Sequence, residues 1–123
     1  MAGMPAKRFE DLVMWQKSHA LVLRVYQETA SFPNHELYGL VSQMRRAAVS
    51  VPANMAESFK KRKNPDKARV MNIAQASLEE LRYYTILARD LCYLPSGSSW
   101  EEIEDIARML GAYVEMLLTP SAD

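Results

Sequence analysis

Four consecutive cations, Lys60, Lys61, Arg62 and Lys63, form the densest run of chemistry-bearing side chains in the chain. A compact basic cluster is the electrostatic footprint of phosphate binding. One or two cations complement the negative end of a helix, so four exceed that local need. Two readings stay open: the solvated tip of a helical bundle, or a patch that meets RNA or DNA. The wider charge pattern poses the same choice. Residues 44–69 carry Arg45, Arg46, Lys60, Lys61, Arg62, Lys63, Lys67 and Arg69 against Glu57 and Asp66, a net +6. Residues 77–123 carry Arg82, Arg89 and Arg108 against nine acids, a net −6, and the whole chain is neutral. The two segments are read either as oppositely charged helix faces that attract each other or as a basic patch left for a partner.

Catalytic chemistry finds little to work with. The chain has no G-x-x-x-x-G-K-[ST], G-x-G-x-x-G or G-x-S-x-G motif. His19, His35 and Cys92 are its only imidazole and thiol groups and fall short of a tetrahedral zinc set. No Glu-x-x-His occurs, so a di-iron bundle site is not expected either. His19 falls on the apolar face of the first helix and reads as a hydrogen-bonded core residue, and His35 reads as exposed. The expectation is a non-enzyme with no metal and no cofactor.

The stretch from Gln43 to Glu57 is the most patterned. On a helix Gln43, Arg46, Ser50, Asn54 and Glu57 fall within about 80° of one another, opposite an apolar stripe. Ala47, Ser50 and Ala53 leave room for a second backbone. One reading is structural: Pro52 frees the carbonyl of Ala48, and nearby polar side chains or water satisfy it. The other turns the ridge to a neighbouring subunit, with Arg46 and Glu57 paired across or along it.

Helices must position these residues. Leu12, Trp15, His19, Val22 and Tyr26 recur at helical spacing, which predicts a first helix over 9–31. Phe9, Met14, Leu21, Leu23 and Val25 widen its apolar arc to roughly 200°, about twice what packing on one neighbour needs. Phe32-Pro33 ends it, and Asn34 is placed to cap a second helix with Glu36 near its start. The second helix is expected over 35–62, with Leu37, Val41, Met44, Ala48, Val51 and Met55 on one face. The pattern stays in phase through Pro52, which predicts a kink and not a break. Asn64-Pro65 opens a third helix over 66–94, carrying Val70, Ala74, Ser77, Leu81, Tyr84, Ala88 and Leu91. Pro95-Ser96-Gly97 ends it, and Ser99 with Glu102 forms a capping-box pair before a fourth helix over 100–118. That helix presents Ile103, Ile106, Leu110, Tyr113 and Leu117. Short connections and heptad-like spacing predict an all-α, antiparallel up-down-up-down four-helix bundle, one domain over 1–123.

Composition agrees. Only 4 Gly and 6 Pro occur in 123 residues, and 49% are apolar. A single cysteine excludes an intrachain disulfide and fits a reducing compartment. The N-terminal residues lack the apolar stretch of a signal peptide, and no apolar run approaches the length of a membrane span. A cytoplasmic location without a membrane partner is the expectation. Tyr83 and Ile86 lie off the core face of the third helix, and with the wide arc of the first they predict a subunit contact.

The chain resembles the bacterial four-helix bundle proteins encoded as open reading frames in intervening sequences of 23S ribosomal RNA genes. The resemblance begins at Phe9-Glu10-Asp11-Leu12 with Trp15-Gln16-Lys17. It continues through Phe32-Pro33, Glu36-Leu37-Tyr38-Gly39-Leu40 and the Gln43–Glu57 stretch to Ile73-Ala74, Ser77-Leu78 and Glu80-Leu81. Ser58 and Ala76 stand where that family often has glycine. The resemblance implies a barrel-shaped homopentamer, kinship with the accessory variability determinant of diversity-generating retroelements, and no established enzymatic activity. That basic relative binds nucleic acid and its reverse transcriptase. The expected function is therefore a non-catalytic, cytoplasmic homo-oligomer that binds RNA or DNA. The alternative is a scaffold for a protein partner without nucleic-acid binding.

Overall fold

The computed structural model describes residues 6–96, 98 and 100–120. They form four helices, α1 (Val13–Thr29), α2 (Leu40–Lys60), α3 (Asn64–Asp90) and α4 (Glu101–Leu118). Two 3-10 turns, Phe9–Asp11 and Asn34–Glu36, precede α1 and α2, and there is no strand among the described residues. The result is an all-α four-helix bundle.

The helix ends differ from the expected ones for local reasons. The Asp11 carboxylate accepts the backbone N–H groups of Lys7 and Arg8 at 3.3 and 3.2 Å, closing the Phe9–Asp11 turn. Leu12 then takes extended angles, so α1 starts at Val13 and not at Phe9. Helix α2 starts at Leu40, past the expected Asn34 cap. Glu36 does the capping instead: its Oε1 accepts the N–H of Leu40 at 3.2 Å. A Cβ on Gly39 would stand 2.9 Å from that oxygen, so glycine keeps the capping carboxylate in place. Helix α3 has Pro65 in its first turn as expected, but its N-cap is Lys63, and Asn64 is already helical. It ends at Asp90, earlier than expected, where Cys92 adopts a left-handed φ of 63°. The Cys92 N–H donates to the Arg89 carbonyl and the Tyr93 N–H to the Ala88 carbonyl, the two bonds of a Schellman motif. Trp100 is the N-cap of α4. Ser99 of the expected capping box lies outside the described residues, and Glu102 forms an ion pair with Arg24.

One core joins all four helices. Met44, Ala48, Val51 and Met55 of α2 are buried in it, as are Ala74, Leu81 and Ala88 of α3 and Ile103, Ile106, Leu110 and Leu117 of α4. These are the stripes that periodicity marks. Leu37 and Leu91 are exposed, because both lie outside the helices that were to carry them. The α1 stripe is a larger correction. The residues it buries are Met14, Ser18, Leu21, Val22, Val25 and Thr29. Of the expected stripe only Val22 is buried, joined by Met14, Leu21 and Val25 from the wider arc, while His19 and Tyr26 are exposed.

Cross-helix contacts give the pairing sense. Ser18 meets Met55 while Thr29 meets Arg45, so contacts along α1 and α2 run in opposite directions. Ser58 bonds to Lys67 and Ser50 to Ser77, the same relation between α2 and α3. Arg24 meets Glu102 and Lys17 meets Asp105, which repeats it between α1 and α4.

Candidate nucleic-acid interface

The end of α2 positions the four cations. Lys60 is its last residue, and Lys61, Arg62 and Lys63 make the connection to α3. Lys60, Arg62 and Lys63 are exposed and Lys61 is half-buried. None of the four forms an ion pair among the described residues. They are not needed to close the helix either. The Lys67 ammonium folds back from α3 and donates to the carbonyls of Ser58 and Phe59 at 3.3 and 3.0 Å. That contact takes up the negative end of α2. Ser58 reinforces the junction by donating its hydroxyl to the Lys67 carbonyl at 3.0 Å, using a side chain that glycine would lack.

The sequence reading missed two further cations. Lys7 and Arg8 line a hollow of about 260 Å³ with Phe9, Ala56, Phe59 and Lys60, at the same end of the bundle. The dibasic pair just before the first turn was the available signal, since the start of the first helix lies beside the end of the second. Glu10 also lines this hollow, and Asp66 sits in the first turn of α3, so the end is basic without being free of carboxylates.

The acidic segment pairs elsewhere. Glu102 contacts Arg24, Asp105 contacts Lys17 at 3.9 Å, and Glu104 contacts Arg82 at 3.7 Å. Among the described residues no ion pair joins residues 44–69 to residues 77–123. These exposed pairs contribute little individually to stability.

The polar ridge of α2 is divided. Asn54 Nδ2 donates to the Ser50 carbonyl at 2.7 Å and to Ser50 Oγ at 2.9 Å. Ser77 of α3 donates to the same Oγ at 2.8 Å, so Ser50 and Asn54 belong to the α2–α3 junction. Gln43, Arg46 and Glu57 are exposed, and Arg46 and Glu57 do not pair within the protomer among the described residues. Asn54 bonds to Ser50 and not to the Ala48 carbonyl that Pro52 was expected to free. Helix α2 continues unbroken through a buried Pro52.

Apolar surface remains outside the core. Phe9, Trp15, His19 and Val22 face Val49, Pro52, Ala53 and Ala56 across a groove of about 380 Å³. His19 is not a core residue; its ring stacks on Trp15 at 5.2 Å and 8°. Tyr83 and Ile86 are 57% and 40% exposed. Burial holds the Tyr113 phenol above the usual tyrosine range. His35 is exposed, beside a Glu36 carboxylate that a hydrogen bond from Tyr93 holds below the usual range.

At the opposite end of the α1–α2 seam, Arg45 is locked. Its Nε donates to Thr29 Oγ1 at 3.0 Å and its Nη2 to the Tyr26 carbonyl at 3.3 Å. The guanidinium lies 4.5 Å from the centre of the Tyr26 ring. Sequence reading singled out Arg46 and passed over Arg45, whose partners lie on another helix.

Among the described residues no three His, Cys, Asp or Glu side chains gather to hold a metal, and no helix is long and apolar enough to cross a membrane. The fold and these surfaces define a four-helix bundle with a basic end and uncovered apolar flanks. The chain belongs to the family of 23S rRNA-intervening sequence proteins, whose model matches residues 10–112. No curated protein matches it.

Proposed function

We propose that this protein is a non-catalytic, cytoplasmic homo-oligomer whose basic end binds the phosphate backbone of RNA or DNA. The observation that carries this reading is the freedom of Lys60, Lys61, Arg62 and Lys63: Lys67 takes the carbonyls at the end of α2, and the four neighbouring cations have no ion-pair partner among the described residues. Lys7 and Arg8 extend the same surface. Assembly is supported by the groove between α1 and α2 and by Tyr83 and Ile86, apolar surface of a kind that soluble monomers rarely leave open. A ring of five subunits rests on the family resemblance alone.

Fluorescence anisotropy with labelled duplex RNA and DNA at several salt concentrations tests the binding. The logarithm of the affinity should fall linearly with the logarithm of salt, more steeply the more phosphates are neutralised. Replacing all four cations with serine should abolish duplex binding and leave the light-scattering mass unchanged. A parent protein that binds no nucleic acid even at low salt ends this reading in favour of the protein scaffold. A mass of 14.0 kDa at micromolar concentration, that of one chain, ends the homo-oligomer.

A further inference from the structure

A hollow of about 450 Å³ opens at the start of α2. Its polar lining consists of Tyr26, Tyr38, Ser42, Arg45 and Arg46, and no carboxylate lines it. Every charge that it presents is positive, and each of its polar side chains can donate a hydrogen bond. Ser42, Arg45, Arg46 and Val49 lie at i, i+3, i+4 and i+7, which places them on one face of α2. Arg45 is held in position by Thr29 and Tyr26, so its guanidinium is oriented before any ligand arrives. Arg46 has no ion-pair partner among the described residues. At the rim stands Tyr38, 93% exposed, the most exposed large apolar side chain described.

We infer that this hollow binds a single-stranded segment of nucleic acid, with an unpaired base stacked on the Tyr38 ring and a phosphate on Arg46 and Arg45. The inference rests on the nucleic-acid reading above and names the form of nucleic acid it favours. A ring that projects into solvent offers both faces to a flat partner, and base–aromatic stacking is a principal source of single-strand affinity. A paired base in a duplex has its faces covered by its neighbours, so a duplex reaches the basic end but gains nothing from Tyr38. The two sites are separate: Arg46 and Lys60 lie about 21 Å apart along α2 at its helical rise. Arg46 is thereby assigned to a ligand and not to a subunit contact.

The test compares the intact protein's affinity for a fluorescein-labelled oligouridylate of about ten nucleotides with its affinity for a duplex of equal length. The parent should prefer the single strand. Tyr38→Ala should weaken single-strand binding by about tenfold and leave duplex binding unchanged. Tyr38→Phe keeps the ring and should retain parental affinity. Arg46→Gln should lower single-strand affinity and reduce its salt slope by about one. Equal binding of the two forms by the parent, or Tyr38→Ala without effect, overturns the hollow and leaves the basic end standing. Single-strand binding that depends on Tyr38, with no duplex binding at all, supports the hollow and removes the basic end. A parent that binds neither form removes both. A changed light-scattering mass for Tyr38→Ala also overturns the inference, because the ring would then belong to a protein contact.

Discussion

The Tyr93 hydroxyl donates a 2.8 Å hydrogen bond to Glu36 Oε2, while the other oxygen of the same carboxylate caps Leu40. The turn after α3 is thereby tied to the start of α2, and Tyr93 also packs on Phe32 with ring centres 5.3 Å apart. The bond from Tyr93, then that from Leu40, holds Glu36 below its ordinary 4.5. Its contribution to stability is complete above that ordinary value and is lost as pH falls through the lower folded one. Tyr93 has the opposite sign: the bond to Glu36 holds it above its ordinary 10.0, so its contribution is complete below 10.0 and is lost as pH rises through the raised value.

Tyr93→Phe should therefore lower the melting temperature at neutral pH and lose less stability than the parent on acidification. Melts between about pH 3 and pH 7 bracket the carboxylate range and measure the gap. A gap of constant size down to pH 3 would show that Glu36 does not mediate it.

Cys92 occupies a backbone position that favours glycine. Cys92→Gly should raise stability by about 1 kcal/mol, and the melting temperature by roughly 4 °C. Cys92→Ala, which keeps a Cβ, should show no such rise. Equal melting temperatures for the two variants would mean that the left-handed turn carries no strain.

Ser50 accepts hydrogen bonds from both Asn54 and Ser77 through one oxygen. Ser50→Ala should destabilise the bundle by about 1–2 kcal/mol, more than Ser77→Ala, because it removes two hydrogen bonds, leaving Ser77 without this acceptor and Asn54 with the Ser50 carbonyl alone. Urea denaturation of the two single variants and the double variant should show a combined cost below the sum. Strict additivity would dissolve the network into independent contacts.

Pro52 lines the α1–α2 groove that the homo-oligomer reading assigns to a subunit contact. Pro52→Ala should weaken assembly in sedimentation while helix content stays equal or rises, since alanine is the better interior residue by about 3 kcal/mol. Unchanged assembly would make the proline incidental to the contact.

The stripes of α2, α3 and α4 were legible because their buried positions are mostly apolar residues at helical spacing. The stripe of α1 was legible only in part, because two of its buried positions, Ser18 and Thr29, are hydroxyls. Ser18 and Thr29 each donate to a carbonyl four residues back on their own helix, at 2.7 Å. A hydroxyl satisfied within its helix is buried as an apolar side chain would be, while its residue type reads as polar. Trp15, His19 and Tyr26, larger and less polar to the eye, drew the pattern onto the neighbouring flank. The four cations after α2 were visible as a run. Lys7, Arg8 and Arg45 join their surfaces only through contacts between helices, which no local spacing records.

The left-handed turn at Cys92 also places the chain's one thiol, exposed, at the end of the bundle opposite Lys60–Lys63. A fluorophore attached there therefore reports geometry between copies, free of any signal from a second label on the same chain. Subunits packed side by side in the same sense around a rotation axis keep all their thiols on one rim, where neighbouring dyes exchange energy or quench. Subunits stacked end to end in opposite senses put them on two rims or bring them together at the middle. One conjugation chemistry thus distinguishes the symmetry of an assembly without a crystal.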